Sequence, residues 1–199
     1  MGINLFKCID DHKTEYIRAA LAGGANLETT NPESQTPLLY ALYKKQIDIA
    51  LLLIAHGANV NARDAVLFTP FLYAGAQGFT TVVAACLDHG ADFNIFNRYG
   101  GTALIPAAEK AHLEVVRLLV NTPGFPIDHV NQLGWTALLE AIILGEGDET
   151  HAPVVAELIA GGCNVNLPDK KGVTPLAHAQ KLEYPKIAEL LEAAGAMPV

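Results

Sequence analysis

Cys8 and His12 lie four residues apart, so on a helix they would share a face, and a thiolate beside an imidazole base at that spacing could act as a nucleophile. The seven histidines hold no pair at helical ligand spacing with a carboxylate between them, the arrangement a zinc hydrolase needs. Ser34 is the only serine and sits outside any Gly-x-Ser-x-Gly elbow, so it reads as a turn residue and not as a hydrolase nucleophile. The acidic run Gly145-Glu146-Gly147-Asp148-Glu149 has too few oxygens, too irregularly spaced, for an EF-hand, and reads as part of a solvated loop from Gly145 to Thr150. Gly100-Gly101-Thr102 lacks the lysine and the preceding strand of a phosphate loop. No cofactor and no metal is expected, and the chain does not read as an enzyme.

Bulk composition narrows the classes further. Of 199 residues 51% are hydrophobic and 17% charged, enough apolar material for a substantial core but without a run long enough to span a bilayer. The formal charge of −8 repels phosphate backbones and anionic lipid, so neither nucleic acid nor membrane is an expected partner. Cys8, Cys86 and Cys163 form neither a disulfide framework nor a Cys-x-x-Cys motif. A reducing compartment follows, and the segment Met1 to Phe6 shows no basic leader, so the expected location is cytoplasmic.

One short phrase recurs along the chain: Thr36-Pro37-Leu38, Thr69-Pro70-Phe71, Thr102-Ala103-Leu104, Thr136-Ala137-Leu138 and Thr174-Pro175-Leu176. Five residues before each threonine stands Asn31, Asp64, Asn97, Asn131 or Asp169, and five after it stands Ala41, Ala74, Ala107, Ala141 or Ala179. A second phrase closes each repeat, as in Gly24-Ala25-Asn26, Gly57-Ala58-Asn59, Gly90-Ala91-Asp92, Gly162-Cys163-Asn164 and Gly195-Ala196. The pattern resembles the 33-residue ankyrin repeat over essentially the whole chain, and most closely the small stand-alone bacterial members of that family. The resemblance implies an all-α solenoid of helix-turn-helix repeats joined by short β-hairpin loops, forming a single domain over residues 1–199. Its repeats are approximately 1–31, 32–64, 65–97, 98–130, 131–168 and 169–199, with the first and last as caps.

Local physics accounts for both phrases. A threonine hydroxyl accepts from an orphan amide of the first helical turn, and proline at the next position loses nothing because its missing N–H had no partner there. The small alanine lets neighbouring first helices approach, and Cys8 falls on that register in the first repeat, where a buried thiol is inert. Glycine supplies the left-handed residue that ends each second helix. The second helices carry the apolar stripe, for example Ile49, Leu52 and Leu53, or Val115, Val116, Leu118 and Leu119. His56 and His89 read as residues at helix C-termini. Several departures from the family pattern have expected effects. Leu39, Leu72, Ile105, Leu139 and Ala177 replace the family's histidine, so the polar link between neighbouring repeats should be missing. Pro106 should disturb the start of its helix, and the fifth repeat gains residues between Leu144 and His151.

The family binds protein partners along a concave groove made by hairpin tips and the ends of the first helices. The matching positions that stand out are Tyr43, Val66, Phe68, Arg98, Tyr99, Glu109, Lys110, Leu133, Trp135, Ile143 and Leu144. Phe68, Tyr99, Leu133, Trp135, Ile143 and Leu144 would form an apolar centre with Trp135, Tyr99 and Phe68 as anchors, within a more polar rim. The expected function is non-enzymatic binding of a protein partner by a monomer, with Val66 and Leu67 as a place for self-association. The competing reading is an enzyme or small-ligand sensor with a pocket lined by Arg98, Glu109 and Glu140.

Overall fold

The computed structural model describes residues 4–198, so Met1–Ile3, on which part of the N-terminal reading rests, lie outside the described residues. Among those residues the chain forms twelve helices and no strand, two helices to a repeat. The first helices of the repeats are α1 (Leu5–Asp10), α3 (Pro37–Tyr43), α5 (Pro70–Gln77), α7 (Leu104–Glu109), α9 (Ala137–Ile143) and α11 (Pro175–Lys181). The second helices are α2 (Thr14–Ala22), α4 (Ile47–Ala55), α6 (Thr80–Asp88), α8 (Leu113–Val120), α10 (Asp148–Ala160) and α12 (Pro185–Ala193).

The chain forms two compact units. One comprises the residues up to Ala74 together with Thr81–Asn97, and the other comprises Gly75–Thr80 together with the residues from Arg98 onward. In the first unit α1 packs on α2 and α3, and α3 on α4, burying Ile9, Ile17, Leu38, Leu42, Ile49 and Leu53. In the second, α7, α9 and α11 stack side by side while α8, α10 and α12 form the layer behind them, around Leu104, Leu119, Leu138, Leu158, Ile187 and Leu191. The recurring alanine explains the close stacking: Ala41, Ala74, Ala107, Ala141 and Ala179 are all fully buried, and Cys8 is buried in their register.

Four repeats open on a hairpin held by one side-chain oxygen. Oδ1 of Asn31 accepts the amides of Glu33 and Gln35, and Asp64 does the same for Val66 and Phe68. Asn131 holds Leu133 and Trp135, and Asp169 holds Lys171 and Val173. This is an Asx turn extended by one further bond. The tip residue is left-handed, φ 62° at Ser34 and 66° at Leu67, where a glycine would be unstrained.

The threonine then starts the helix. Thr36, Thr69, Thr136 and Thr174 each accept the amide three residues on, at 3.4, 3.1, 3.2 and 3.3 Å. Thr102 departs from this pattern. Its hydroxyl is buried without a hydrogen-bond partner, Ala103 is already in the α conformation, and α7 begins only at Leu104. Pro106 accounts for the later start, because it has no N–H to bond back to the Thr102 carbonyl as Tyr40 does to that of Thr36.

Three expectations need correction. His12 does not share a helix face with Cys8: it lies past the end of α1 at φ 49°, and its ring meets Asp48 at 3.3 Å. Lys45, Ala111 and Glu183 take the same left-handed place between the two helices of their repeats. Polar links between repeats are present, moved to the turns that follow the second helices. Glu28 accepts the amide of Asn59 and Asn61 that of Asp92 in the first unit, while Asp128 accepts Asn164 and Asn166 accepts Met197 in the second.

The acidic insertion is likewise more than a solvated loop. Gly147, at φ 93°, leads directly into α10, and Asp148 and Glu149 form its first turn. The Asp148 carboxylate accepts the amides of Lys186 and Ile187 at 2.9 and 3.0 Å, so it caps α12 from outside that helix's own sequence.

Two measurements check this account. Thr136→Val should lower the stability read by urea unfolding by about 1 kcal/mol, as loss of an N-cap does, whereas Thr102→Val should leave it equal or higher because no bond is lost and a buried hydroxyl is removed. Asp148→Ala should cost about 1 kcal/mol and speed hydrogen exchange at the Lys186 and Ile187 amides.

Candidate functional site

The expected site residues fall in both compact units. In the second unit, Arg98 and Tyr99 stand at one hairpin tip and Leu133 at the next, with Tyr99 53% and Leu133 51% exposed. A backbone bond of 2.9 Å from the Gln132 amide to the Tyr99 carbonyl joins the two tips. The Arg98 guanidinium lies over the Tyr99 ring, 4.8 Å from its centroid. Trp135 is half-buried on the same hairpin as Leu133, and both amides share the Asn131 oxygen. Ile143 and the exposed Leu144 stand at the far end of α9 from Trp135, and Lys110 sends its ammonium to the Ala76 carbonyl, 3.1 Å away.

In the first unit Val66 and Leu67 are exposed at their hairpin tip. Phe68 and Tyr43 serve the structure more directly. Both rings contact Tyr73, Phe68 edge-on at 5.7 Å and Tyr43 tilted at 4.3 Å, and the Tyr43 hydroxyl donates to Asp64 Oδ2 at 2.7 Å. Tyr73 was not singled out from the sequence, although it sits nine residues after Asp64, the same interval that separates Asn131 from Glu140 and Asp169 from His178.

Glu140 is only 6% exposed, and Asn131 Nδ2 donates to its Oε1 at 2.7 Å. Burial first, and then the Glu109 carboxylate, push its pKa up to about 7, with the Asn131 bond opposing them. The structure therefore brings Glu109 and Glu140 together, but Arg98 is turned to Tyr99 and makes no ion pair with either. His151, 1% exposed, ties the same region: Nδ1 accepts the Glu146 amide, which leaves Nε2–H to donate to the Glu109 carbonyl at 2.8 Å. A cleft of about 630 Å³ is lined by Leu5, Phe6, Ala20 and Asn26, and another of about 420 Å³ by Ala179, Tyr184 and Ala188; Arg98, Glu109 and Glu140 line neither.

Cys8 is buried in the alanine register. Burial pushes Cys86 and Cys163 up to about 12, far from a reactive thiolate. Among the described residues no three His, Cys, Asp or Glu side chains group as a metal ion would need, and no helix is long and apolar enough to cross a membrane.

The raised Glu140 fixes a pH dependence of stability. The native state holds this proton up to about pH 7 while the unfolded chain releases it near 4.5, so stability falls as pH rises through that interval. Glu140→Gln keeps an acceptor for Asn131 and cannot ionise. In urea unfolding it should gain about 1–3 kcal/mol over the native protein above the interval and little or nothing below it.

Comparison with known proteins agrees with this geometry. The family description "Ankyrin repeats (3 copies)" matches residues 67–129, and "Ankyrin repeat" matches residues 33–65. A crystal structure of an ankyrin repeat domain from Acinetobacter baumannii AYE is 45% identical over 97% of this chain and 98% of that one, with a TM-score of 0.92. The ankyrin repeat protein EF0377 is 36% identical over 94% of this chain and 96% of its own, at 0.90. The ankyrin repeat domain of Bcl-3, described as a unique member of the IkappaB protein family, is 26% identical over 98% of this chain and 87% of its own, at 0.84. The ankyrin repeat protein YahD of Escherichia coli (strain K12) is 42% identical over 103 residues, so this chain spans about half the length of that curated relative. Repeat phrase, helix pairs, left-handed turns and full-length likeness to the Acinetobacter domain concur: the chain belongs to the ankyrin-repeat family, whose members are generally protein-interaction modules.

Proposed function

We propose that this protein binds a protein partner through the hairpin-tip face of its second unit and performs no chemistry of its own. The observation that carries the reading is the joined pair of tips. Tyr99 and Leu133 are each more than half exposed on neighbouring hairpins, with Arg98 stacked on the tyrosine and half-buried Trp135 on the hairpin of Leu133. Tyrosine, tryptophan and arginine are the side chains that most often anchor interfaces, and a soluble surface seldom leaves adjacent apolar tips without a use. Ile143 and Leu144 extend the surface at the other end of α9, and Glu109 and Lys110 form its polar rim. In the first unit the same role falls to Val66, with Phe68 and Tyr43 holding the hairpin that presents it.

The protein acts as a monomer in a reducing, cytoplasmic setting under this reading, and Val66 and Leu67 are where a second copy would join. Its charge of −8 argues against phosphate-rich partners. An enzyme or ligand sensor at Arg98, Glu109 and Glu140 gains no support from the placement of Arg98.

Tyr99→Ala and Leu133→Ala supply the cleanest test, because both side chains are exposed and their loss should barely change the melting temperature. Each should weaken capture of the partner from the source cell at least about tenfold, the effect of removing an interface anchor. Trp135→Ala should weaken capture and also lower stability, since the ring is half-buried. Unchanged capture in the Tyr99 and Leu133 variants would move the partner site elsewhere.

A further inference from the structure

Among the described residues the buried acids are Asp64 and Glu140, and they are satisfied very differently. Asp64 Oδ1 takes the amides of Val66 and Phe68 while Oδ2 takes the Tyr43 hydroxyl, so both of its oxygens are engaged. Glu140 has one side-chain hydrogen bond, from Asn131 Nδ2 at 2.7 Å. That donor belongs to the carboxamide whose oxygen holds the Leu133 and Trp135 amides at 3.0 and 3.1 Å. A carboxamide is a rigid plane, so a change in pull on its nitrogen turns its oxygen as well. At the equivalent turns Asp64 and Asp169 have no proton to donate, and Asn31 donates to the uncharged Gln35. Of these four turns, that of the fifth repeat is the one tied by a donor to a buried acid.

We propose that Glu140 is a proton-sensitive latch on the hairpin tip of the fifth repeat, transmitting its ionisation through Asn131 to Leu133 and Trp135. A carboxylate accepts the Asn131 N–H more strongly than a carboxylic acid does. Losing the proton therefore draws the carboxamide onto α9, while the new charge beside Glu109 strains the packing of α9 on α7. Gaining the proton relaxes both.

The other groups on elements packed against α9 are accounted for. On α7, Glu109 opposes the charge, and beyond it Lys110 is held by the Ala76 carbonyl. On α10, His151 bridges Glu146 and Glu109 through their backbones, Asp148 caps α12, Glu149 meets Lys186, and Glu157 meets Arg117. On α11, His178 meets Asp169 at 3.0 Å and Lys181 is exposed. None of these cations reaches Glu140. Its ionisation accordingly falls near neutrality, where modest changes of cellular pH would move it.

Regulation of partner binding by this latch rests on the proposed reading of the Tyr99–Leu133 face, whereas the latch itself does not. Trp135 is the only tryptophan of the chain, so intrinsic fluorescence reads the tip without any partner. The full-length protein should show one emission transition with a midpoint of about 7, far-UV circular dichroism staying constant across it. Glu140→Gln should abolish the transition, and Glu109→Gln should move its midpoint to lower pH. A flat profile in the native protein overturns the latch. So does a transition that survives Glu140→Gln, which would belong to another group. Should Glu140→Gln fail to fold, an unmoved midpoint in Glu109→Gln overturns it alone. Capture of the partner at about pH 6 and about pH 8 then separates the two readings. Capture that changes in the native protein and not in Glu140→Gln supports both, while a fluorescence transition with constant capture upholds the latch and counts against the groove.

Discussion

A hairpin of five residues cannot bury enough to hold itself, and in this chain its shape depends on one acceptor oxygen. The Oδ1 of Asn31, Asp64, Asn131 or Asp169 gathers the amides two and four residues on, and the backbone of the same residue closes the loop by pairing with the carbonyl four residues on. The threonine that starts the next helix follows immediately. Where the loop closes and where the helix begins are therefore set together. That fixes the direction in which each first helix leaves its hairpin, and with it which side chains stand on the tip and which enter the core.

Stacking supplies what the hairpins lack. The second helices carry more aliphatic surface than a single pair could cover, so each depends on the next, and the alanine register lets the first helices meet without a gap. Within each compact unit polar bonds hold both margins of the stack. Joined hairpin tips hold one margin, through Ala65 to Glu33 and Gln132 to Tyr99, and the turns after the second helices hold the other. Fixed at both margins, the tips present side chains such as Tyr99 and Leu133 in a constant relation, which would lower the entropy lost if they were ordered against a partner.

Much of this was legible in the residues, because the signals are local. Thr-Pro, the alanine register and the closing glycine each act within one helical turn, so the helix pairs, Cys8 as a packing residue and His56 as a helix-terminal residue could be read directly. Signals that depend on distant partners could not. The acidic run looked like a loop because glycines flank it, yet Asp148 is fixed by amides of α12 at Lys186 and Ile187. Lys45 and Ala111 adopt left-handed turns without the glycine that would announce them. In the candidate site the exposure of Tyr99 and Leu133 followed from their place on the tips. Phe68 and Tyr43 were harder, since Tyr73, the ring that binds both, lies outside the groove positions. Glu140 was picked out as a charge; its tie to Asn131 lies within one repeat, but its burial and its closeness to Glu109 depend on the stacking of α7 and α9.

Most repeats of such a chain are interchangeable parts, each offering the same face to its neighbours, so duplication or loss of one leaves its junctions intact. The Asp148 cap breaks that equivalence at one joint. The helix α12 begins without a side-chain cap of its own and borrows one from α10. The last two repeats are thus matched to each other as lock and key. Genetic recombination that shuffled, inserted or exchanged repeats at this junction would leave one helix without its cap and one carboxylate without its amides, a cost that the junctions lacking such a cap do not carry.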